Sequence, residues 1–575
     1  MPLHLPSGPA TNATTDHAWI KAYPQGVDWH MAVPLKAVTS LLDDAVRDYP
    51  NNPATQFKGK TQTYRQLGSD DDRVAAGLQA MGVKKGTHVG LLLPNTPAFI
   101  VYYYAILKCG GTVVNFNPLY TLDELTFQIK DSETGILVTH DLKALFDKVE
   151  ALIAKGALQR AIVVPFAPLL PMSKSILFQL FKRDAIANPS ASAVKDRVVS
   201  GQSLAASSHK FEPVSINPEK DIAVLQYTGG TTGTPKGAML SHGNLYANAM
   251  QIVAWAQDLK QGQECVLGIL PFFHVFAMTV VMNLGIAKAA KIVMIPRFDL
   301  NETLQLIDAE KPTIMPAVPT IFNAIMNHPK VKDFDLTSIH FCLSGGAPLP
   351  LEVKTKFEAM TGCKLVEGYG LSETSPVLTC NPINGPVIAG SIGPPLPATI
   401  ISLRDIADPT KEVALGERGE LCAAGPQVMK GYWKKPAETA NQFVGKFLRT
   451  GDVAVMDENG FFFIVDRIKD LIICSGYNVY PRRIEEAIYE HPAVEEVTVV
   501  GIKDSYRGEA PKAFIKLRAG MTATAAEILK HLEPKISKIE MPAQIEFRDS
   551  LPKTMIGKLS KKELAAEEAE RAKSS

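Results

Sequence analysis

The segment Ile222 to Gly237 concentrates residue types suited to holding a polyphosphate. A short apolar run, Ile222 to Tyr227, reads as a strand and empties into Thr228, Gly229, Gly230, Thr231, Thr232, Gly233, Thr234, Pro235, Lys236 and Gly237. Glycines let backbone N–H groups turn toward an anion without a side-chain clash, the four threonines add hydroxyl donors, and Lys236 adds a point charge. The run is not a Walker phosphate loop, which needs a glycine before its lysine and a hydroxyl after it. Here Pro235 precedes Lys236 and Gly237 follows, which argues against an ordinary P-loop NTPase or kinase.

Other segments follow with chemistry of their own. They are Leu270 to Val275, an aromatic run holding His274; Ser344, Gly345, Gly346, Ala347 and Pro348; Glu367, Gly368, Tyr369, Gly370, Leu371, Ser372, Glu373 and Thr374; Thr450, Gly451 and Asp452; Asp466 to Asp470 with Arg467 and Lys469; and Leu551 to Lys558. Taken singly, several are ordinary: a histidine in an apolar run is usually core, and a lysine near a terminus is usually a solubilising charge. In this order, over roughly Leu35 to Lys561, they resemble the motifs of the adenylate-forming superfamily of acyl-CoA synthetases, luciferases and peptide-synthetase adenylation domains.

The resemblance implies roles. Thr228 to Lys236 would cradle the ATP phosphates, and Glu373 with Thr228 would hold Mg²⁺, a hard ion bound through one carboxylate and substrate phosphates. Gly346, Ala347, Glu367, Gly368, Tyr369, Gly370 and Thr374 would lie against the nucleotide, with the Tyr369 ring stacking on adenine. Asp452 would accept hydrogen bonds from the ribose hydroxyls and Arg467 would contact the ligand. His274, Val275, Met278, Met282 and Gly346 would line the acyl pocket. Lys469 would be the hinge, Lys558 the catalytic lysine of a small mobile domain, and Gly476 part of the thioester site. Two half-reactions follow: a carboxylic acid and ATP give acyl-adenylate and pyrophosphate, and coenzyme A then takes the acyl group and releases AMP. Lys558, Lys236, the loop amides and Mg²⁺ would serve developing charge, with no protein nucleophile.

The stretches Trp19 to Tyr23, Val164 to Arg183 and Phe272 to Phe276 look most like bacterial-type long-chain fatty acid ligases. A peptide-synthetase module would continue into a carrier domain, whereas 17 residues follow Lys558, so transfer of a medium- to long-chain fatty acyl group to coenzyme A is the expectation. An aryl ligase of the 4-coumarate type and a non-enzymatic AMP- or acyl-binding protein are the alternatives.

Positioning these residues requires a scaffold. The apolar run His88 to Leu93, the helical pattern Ala98 to Leu107 and the run Gly111 to Phe116 follow strand–helix–strand grammar. That predicts mostly parallel sheets covered by helices, with ligands near the carboxyl ends of strands. After Asp452 a hairpin-like run, Gly460 to Val465, leads into the charged stretch Asp466 to Asp470 and then a new α/β pattern, dividing the chain at 1–466 and 467–575. The family fold implied is α/β: a large N-terminal domain of αβ-layered sheets with a distorted β-barrel portion, and a small mobile C-terminal α/β domain.

Composition sets the limits. Apolar residues are 46% and charged residues 21% of the 575, ordinary for a globular protein. The net charge of +1, with no basic run, argues against nucleic acid as a partner. Seven scattered cysteines without a C-x-x-C pair suggest a reducing compartment. No signal peptide is expected from the leader through Thr15, nor a peroxisomal address at Ala572 to Ser575. Cys265 to Ala287 lacks Asp, Glu, Lys and Arg, but Gly268, Pro271, His274, Asn283 and Gly285 interrupt it, so buried strand, loop and helix are expected rather than a membrane span. The apolar stretch Val164 to Arg183 could lie on a membrane surface or pack on the body. The expected partners are therefore small molecules, in the cytoplasm, with peripheral contact at the inner face of the cell membrane and a homodimer as further expectations.

Overall fold

The computed structural model describes residues 17–228, 235–475, 477–504, 506–554 and 559–574. Its N-terminal part is built on two large sheets, parallel in their interiors. In one, His88–Leu91 pairs in parallel with Thr112–Asn115 and Ile136–His140, and Thr112–Asn115 pairs in parallel with Ile222–Thr228. The crossover helix Pro97–Lys108 starts with proline, whose missing N–H costs nothing in a first turn. Residues 98–107 are all buried, because the helix lies between layers and touches strands of both large sheets. The Tyr104 hydroxyl crosses to Asn283 Oδ1 at 2.9 Å, so this helix also sets the spacing between the two sheets.

In the second large sheet Cys265–Gly268, Ile314–Ala317, Phe341–Ser344 and Lys364–Gly370 lie side by side in parallel. The stretch from Cys265 is indeed a strand, a loop and a helical run from Val275 to Ala287. Among the described residues no helix is long and apolar enough to cross a membrane. The helical run is irregular: Met278–Asn283 forms a π turn, a widened turn that shifts the side chains after it and is frequent at functional sites.

A third sheet is antiparallel, formed by Ile400–Arg404, Gly419–Ala424, Phe443–Val444, Phe447–Met456 and Phe462–Arg467. It closes over its own core of Trp19, Leu421 and Phe462 and is the barrel-like portion. Its last strand ends at Arg467, and Ile468–Asp470 makes one 3-10 turn. The fourth sheet then begins at Ile472–Cys474 and encloses a separate core of Ile484, Ile488, Val499, Ile515 and Leu532. A second core of its own is what a unit that moves against its neighbour requires.

Candidate active site

The expected site segments converge at the carboxyl ends of parallel strands, where open α/β sheets bind ligands. Thr228 ends its strand, His274 lies beyond Cys265–Gly268, Gly346 beyond Phe341–Ser344, and Tyr369 and Gly370 close Lys364–Gly370. The strand Ile222–Thr228 and its antiparallel partner Lys236–Ser241 also pack against the turn Ser372–Thr374. The expected positions Gly229, Gly230, Thr231, Thr232, Gly233, Thr234, Gly476 and Lys558 lie outside the described residues.

Thr228 and Lys236 face each other across the hairpin. The Lys236 ammonium lies 4.7 Å from the centroid of the Tyr432 ring, and the Tyr432 hydroxyl donates to Glu373 Oε1 at 2.7 Å. One aromatic side chain therefore separates and orients the two candidate phosphate-site charges. It is held there by backbone pairing. Met239 N–H donates to the Gly431 carbonyl and Lys430 N–H donates to the Met239 carbonyl at 2.9 Å each, Trp433 N–H donates to the Gly237 carbonyl at 2.8 Å, and Met429 N–H donates to the Glu373 carbonyl at 2.8 Å. Among the described residues neither Lys236 nor Glu373 forms an ion pair, which leaves both charges for a ligand. Sequence reasoning missed Tyr432. The available signal was Tyr432 and Trp433 adjacent after Gly431, two aromatics together in a loop.

A second cluster surrounds Asp452, which is almost wholly buried. Its Oδ2 accepts from the Tyr369 hydroxyl at 2.6 Å, and its Oδ1 lies 3.1 Å from Arg467 Nε. Asp452 and Arg467 are register partners on neighbouring strands, so the ion pair follows from the sheet. The neighbouring carboxylate raises the Arg467 guanidinium's pKa further, and burial followed by the Asp452 charge pushes the Tyr369 phenol well above its ordinary value.

Small residues at this edge are dictated by space. A Cβ on Gly370 would sit 1.9 Å from the Pro376 carbonyl oxygen, and one on Gly368 would sit 3.1 Å from Leu343. Gly346 has φ +82°, a left-handed conformation that glycine adopts without penalty, with Ala347 half-buried beyond it. The Thr374 hydroxyl accepts from Leu371 N–H at 3.0 Å and donates to the Pro376 carbonyl, shaping the turn that presents Glu373. Glu367 is buried next to Ser344. Burial pushes its carboxyl up to about 7, with the charge of Arg482 from the small domain pulling the other way.

Among the residues expected to line an acyl pocket, His274 Nδ1 accepts from Phe276 N–H at 3.3 Å and caps the helical run. Val275, Met278 and Met282 are buried. Asn115 donates to Gln226 Oε1 at 3.0 Å and toward Met278 Sδ at 3.4 Å, and Gln226 donates to the Phe273 carbonyl at 3.0 Å. These bonds tie the aromatic-His segment to the strand that feeds the phosphate loop. The Thr279 hydroxyl, on the π turn, donates to the Ser375 carbonyl at 2.7 Å, fixing this helix to the Glu373 turn.

Lys469 is exposed on the single turn joining the third and fourth sheets. Beside it the buried Asp466 accepts from Arg467 N–H at 2.8 Å and from Arg482 N–H at 2.9 Å. Arg482 lies in the first turn of Pro481–Tyr489, a favourable place for a carboxylate.

Comparison with known proteins agrees with this geometry. A family model for AMP-binding enzymes matches residues 42–433, and one for the AMP-binding enzyme C-terminal domain matches residues 483–558. The long-chain-fatty-acid–CoA ligase of Bacillus subtilis (strain 168) is 43% identical, over 96% of this chain and 98% of its own. That of Escherichia coli O157:H7 is 36% identical over the same shares. The crystal structure of ATP-bound MatB from Rhodopseudomonas palustris matches with a TM-score of 0.80 at 28% identity, covering 92% of this chain and 99% of that one. With both family models matched in order and the residues expected at the nucleotide gathered at one strand edge, the chain belongs to the AMP-binding, adenylate-forming enzymes.

Proposed function

We propose that this chain forms fatty acyl-CoA from a long-chain fatty acid, ATP and coenzyme A, with residues 1–466 and 467–575 as its two working domains. The observation that carries the reading is the pairing of two clusters at one edge. Lys236 and Glu373 flank Tyr432, suited to phosphates, and Asp452 is set between Tyr369 and Arg467, suited to a ribose diol. The end-to-end match to long-chain-fatty-acid ligases supports the acyl class.

In the first half-reaction a carboxylate oxygen of the acid bonds to the α-phosphorus of ATP, and pyrophosphate leaves with the electron pair of the broken P–O bond. In the second, the coenzyme A sulfur bonds to the acyl carbon, the C–O bond to AMP breaks, and the thiol proton passes to solvent. Lys236, Lys558 and the amides between Gly229 and Thr234 carry the phosphate charge. Gly346, Ala347, Gly368 and Gly370 allow the nucleotide close to the backbone, with Glu367 and Thr374 shaping that edge. His274, Val275, Met278 and Met282 line the acyl side, and Gly476 belongs to the thioester site.

Magnesium fits the donor set. Among the described residues no three metal-binding side chains cluster, so Glu373 and Thr228 offer one carboxylate and one hydroxyl, the sparse oxygen set of an ion that relies on waters and substrate phosphates. When bound, it neutralises charge on the departing pyrophosphate. A bilayer-soluble substrate makes contact with a membrane surface part of the same reading.

The test is ATP–pyrophosphate exchange against saturated acids of increasing length and against 4-coumarate, followed by coenzyme A-dependent AMP release. Strongest exchange with long chains is the expected result. Preference for 4-coumarate would make the protein an aryl ligase, and no exchange with any acid would make it a binding protein.

A further inference from the structure

The helix Met172–Phe181 inverts the usual arrangement of a surface helix. It has ten residues and no buried one, and its outward side chains Met172, Ile176, Leu177, Leu180 and Phe181 are between 52% and 82% exposed. At 100° per residue these five cover about half the helix circumference, interrupted only by Ser173. Fourteen large apolar side chains are left exposed among the described residues, and five of them lie on this helix. A patch of that density on a soluble body marks a contact surface.

The helix is firmly seated. The Phe178 ring turns inward and packs 5.4 Å from Phe166, which in turn meets Phe57 at 5.9 Å. The Lys174 ammonium donates to the Lys58 carbonyl at 2.7 Å and Lys60 donates to the Pro168 carbonyl at 2.6 Å, so the hairpin turn at Gly59 braces its start. The outward face is thus presented by a fixed support, and its apolar exposure does not arise from a swinging segment.

The rim is basic. Lys60, Lys174, Lys182 and Arg183 are exposed, and none of the four takes part in an ion pair among the described residues; Asp184 is the one acid in the stretch from Met172 to Ala185. Apolar side chains ringed by cations match a bilayer surface with anionic headgroups. A second copy fits less well: an isologous contact would set this basic rim against itself, and one ten-residue helix offers less than the roughly 800 Å² per partner of a stable interface. At ~15 Å long the helix is too short to cross a membrane and would lie in the interface.

We propose that Met172–Phe181 is a docking surface for an anionic lipid bilayer, with Ile176, Leu180 and Phe181 entering the acyl boundary and Lys182 and Arg183 meeting the headgroups. Its biological sense rests on the fatty-acid reading above, since a substrate dissolved in lipid is best met at the lipid surface.

The experiment is flotation of the full chain with phosphatidylcholine vesicles, with and without phosphatidylglycerol, in the absence of ATP, acid and coenzyme A. The wild-type protein should float with the anionic vesicles. The variant Ile176→Ser/Leu180→Ser/Phe181→Ser should bind at least about tenfold more weakly while keeping its melting temperature and its exchange activity with a short, water-soluble acid. Lys182→Glu/Arg183→Glu should lose the preference for phosphatidylglycerol. If the triple variant does not fold, Phe181→Trp serves instead, and its emission should shift to the blue on adding anionic vesicles. The proposal is overturned if the wild-type protein binds neither vesicle, if the triple variant floats as well as the wild type, if Phe181→Trp emission is unmoved, or if the triple substitution converts a dimer to a monomer with no vesicle binding by either. Because flotation needs no substrate, loss of exchange with every acid would remove the catalytic reading and leave the docking result standing.

Discussion

The hydroxyl of Tyr432 is bonded to Glu373 at 2.7 Å while the ring of the same residue faces the Lys236 ammonium at 4.7 Å. Two substitutions separate these contacts. Tyr432→Phe removes a hydrogen bond to a carboxylate, which contributes roughly 1.5–3 kcal/mol, and keeps the ring. Tyr432→Leu removes both. Tyr432→Phe should raise the magnesium concentration needed for half-maximal exchange and lower its rate about tenfold, with little change in ATP affinity. Tyr432→Leu should in addition weaken ATP binding, because Lys236 loses its support. The check is exchange titrated separately with magnesium and ATP, together with manganese binding in the presence of ATP read by electron paramagnetic resonance. Indistinguishable variants would show that the two contacts do not act separately.

Asp452 holds both a phenol and a guanidinium. Asp452→Asn keeps the shape and loses the charge, so Arg467 is left without its partner and a ribose diol loses its stronger acceptor. The Michaelis constant for ATP should rise about ten- to a hundredfold, or roughly 1.4–2.8 kcal/mol. Tyr369→Phe should cost less, since the ring remains. Steady-state kinetics on both variants checks the order.

Lys558→Ala should cripple adenylate formation and leave thioester formation from supplied acyl-adenylate largely intact. Measuring the two half-reactions separately is decisive, because equal losses in both would contradict a role confined to the first step.

Glu367 makes stability depend on pH. Its carboxyl moves from the ordinary 4.5 up to about 7 through burial, so the folded chain holds a proton that the unfolded chain has released. This contribution is therefore fully present below about 4.5 and is lost as pH rises through about 7. Glu367→Gln should flatten that part of the profile and be the more stable protein on its upper side. Replacing Arg482, whose charge opposes the shift, should extend the decline to higher pH. Urea midpoints across this range test both.

Local chemistry was legible in the sequence and long-range pairing was not. The run from His88 to Phe116 announced strand, helix and strand because its apolar periods differ, and Lys236 stood out in its glycine- and threonine-rich loop, whereas Glu373, Tyr369 and Asp452 were legible only through the resemblance carried by the ordered motifs. Tyr432 was legible in neither way, since its role comes from Met429–Trp433 pairing with a strand laid down much earlier in the chain. The π turn at Met278–Asn283 was equally hidden, because an apolar run buried on all sides carries no phase. For Val164 to Arg183 the composition left a membrane surface and packing on the body both open, and Phe178 and Phe181 looked alike until packing against Phe166 turned one inward. Glu367 and Arg482 come from different domains, so their coupling required the assembled chain.

The Asp466 carboxylate supplies a reporter that needs no label. The amide protons of Arg467 and Arg482 share this one acceptor at 2.8 and 2.9 Å but lie on opposite sides of Lys469. On the proposal that Lys469 is the hinge, turning the small domain there breaks the second bond and spares the first. Deuterium uptake at Arg482, read against Arg467 as an internal standard, should therefore count excursions of the domain, rising when coenzyme A and an adenylate analogue draw it away and falling when it returns.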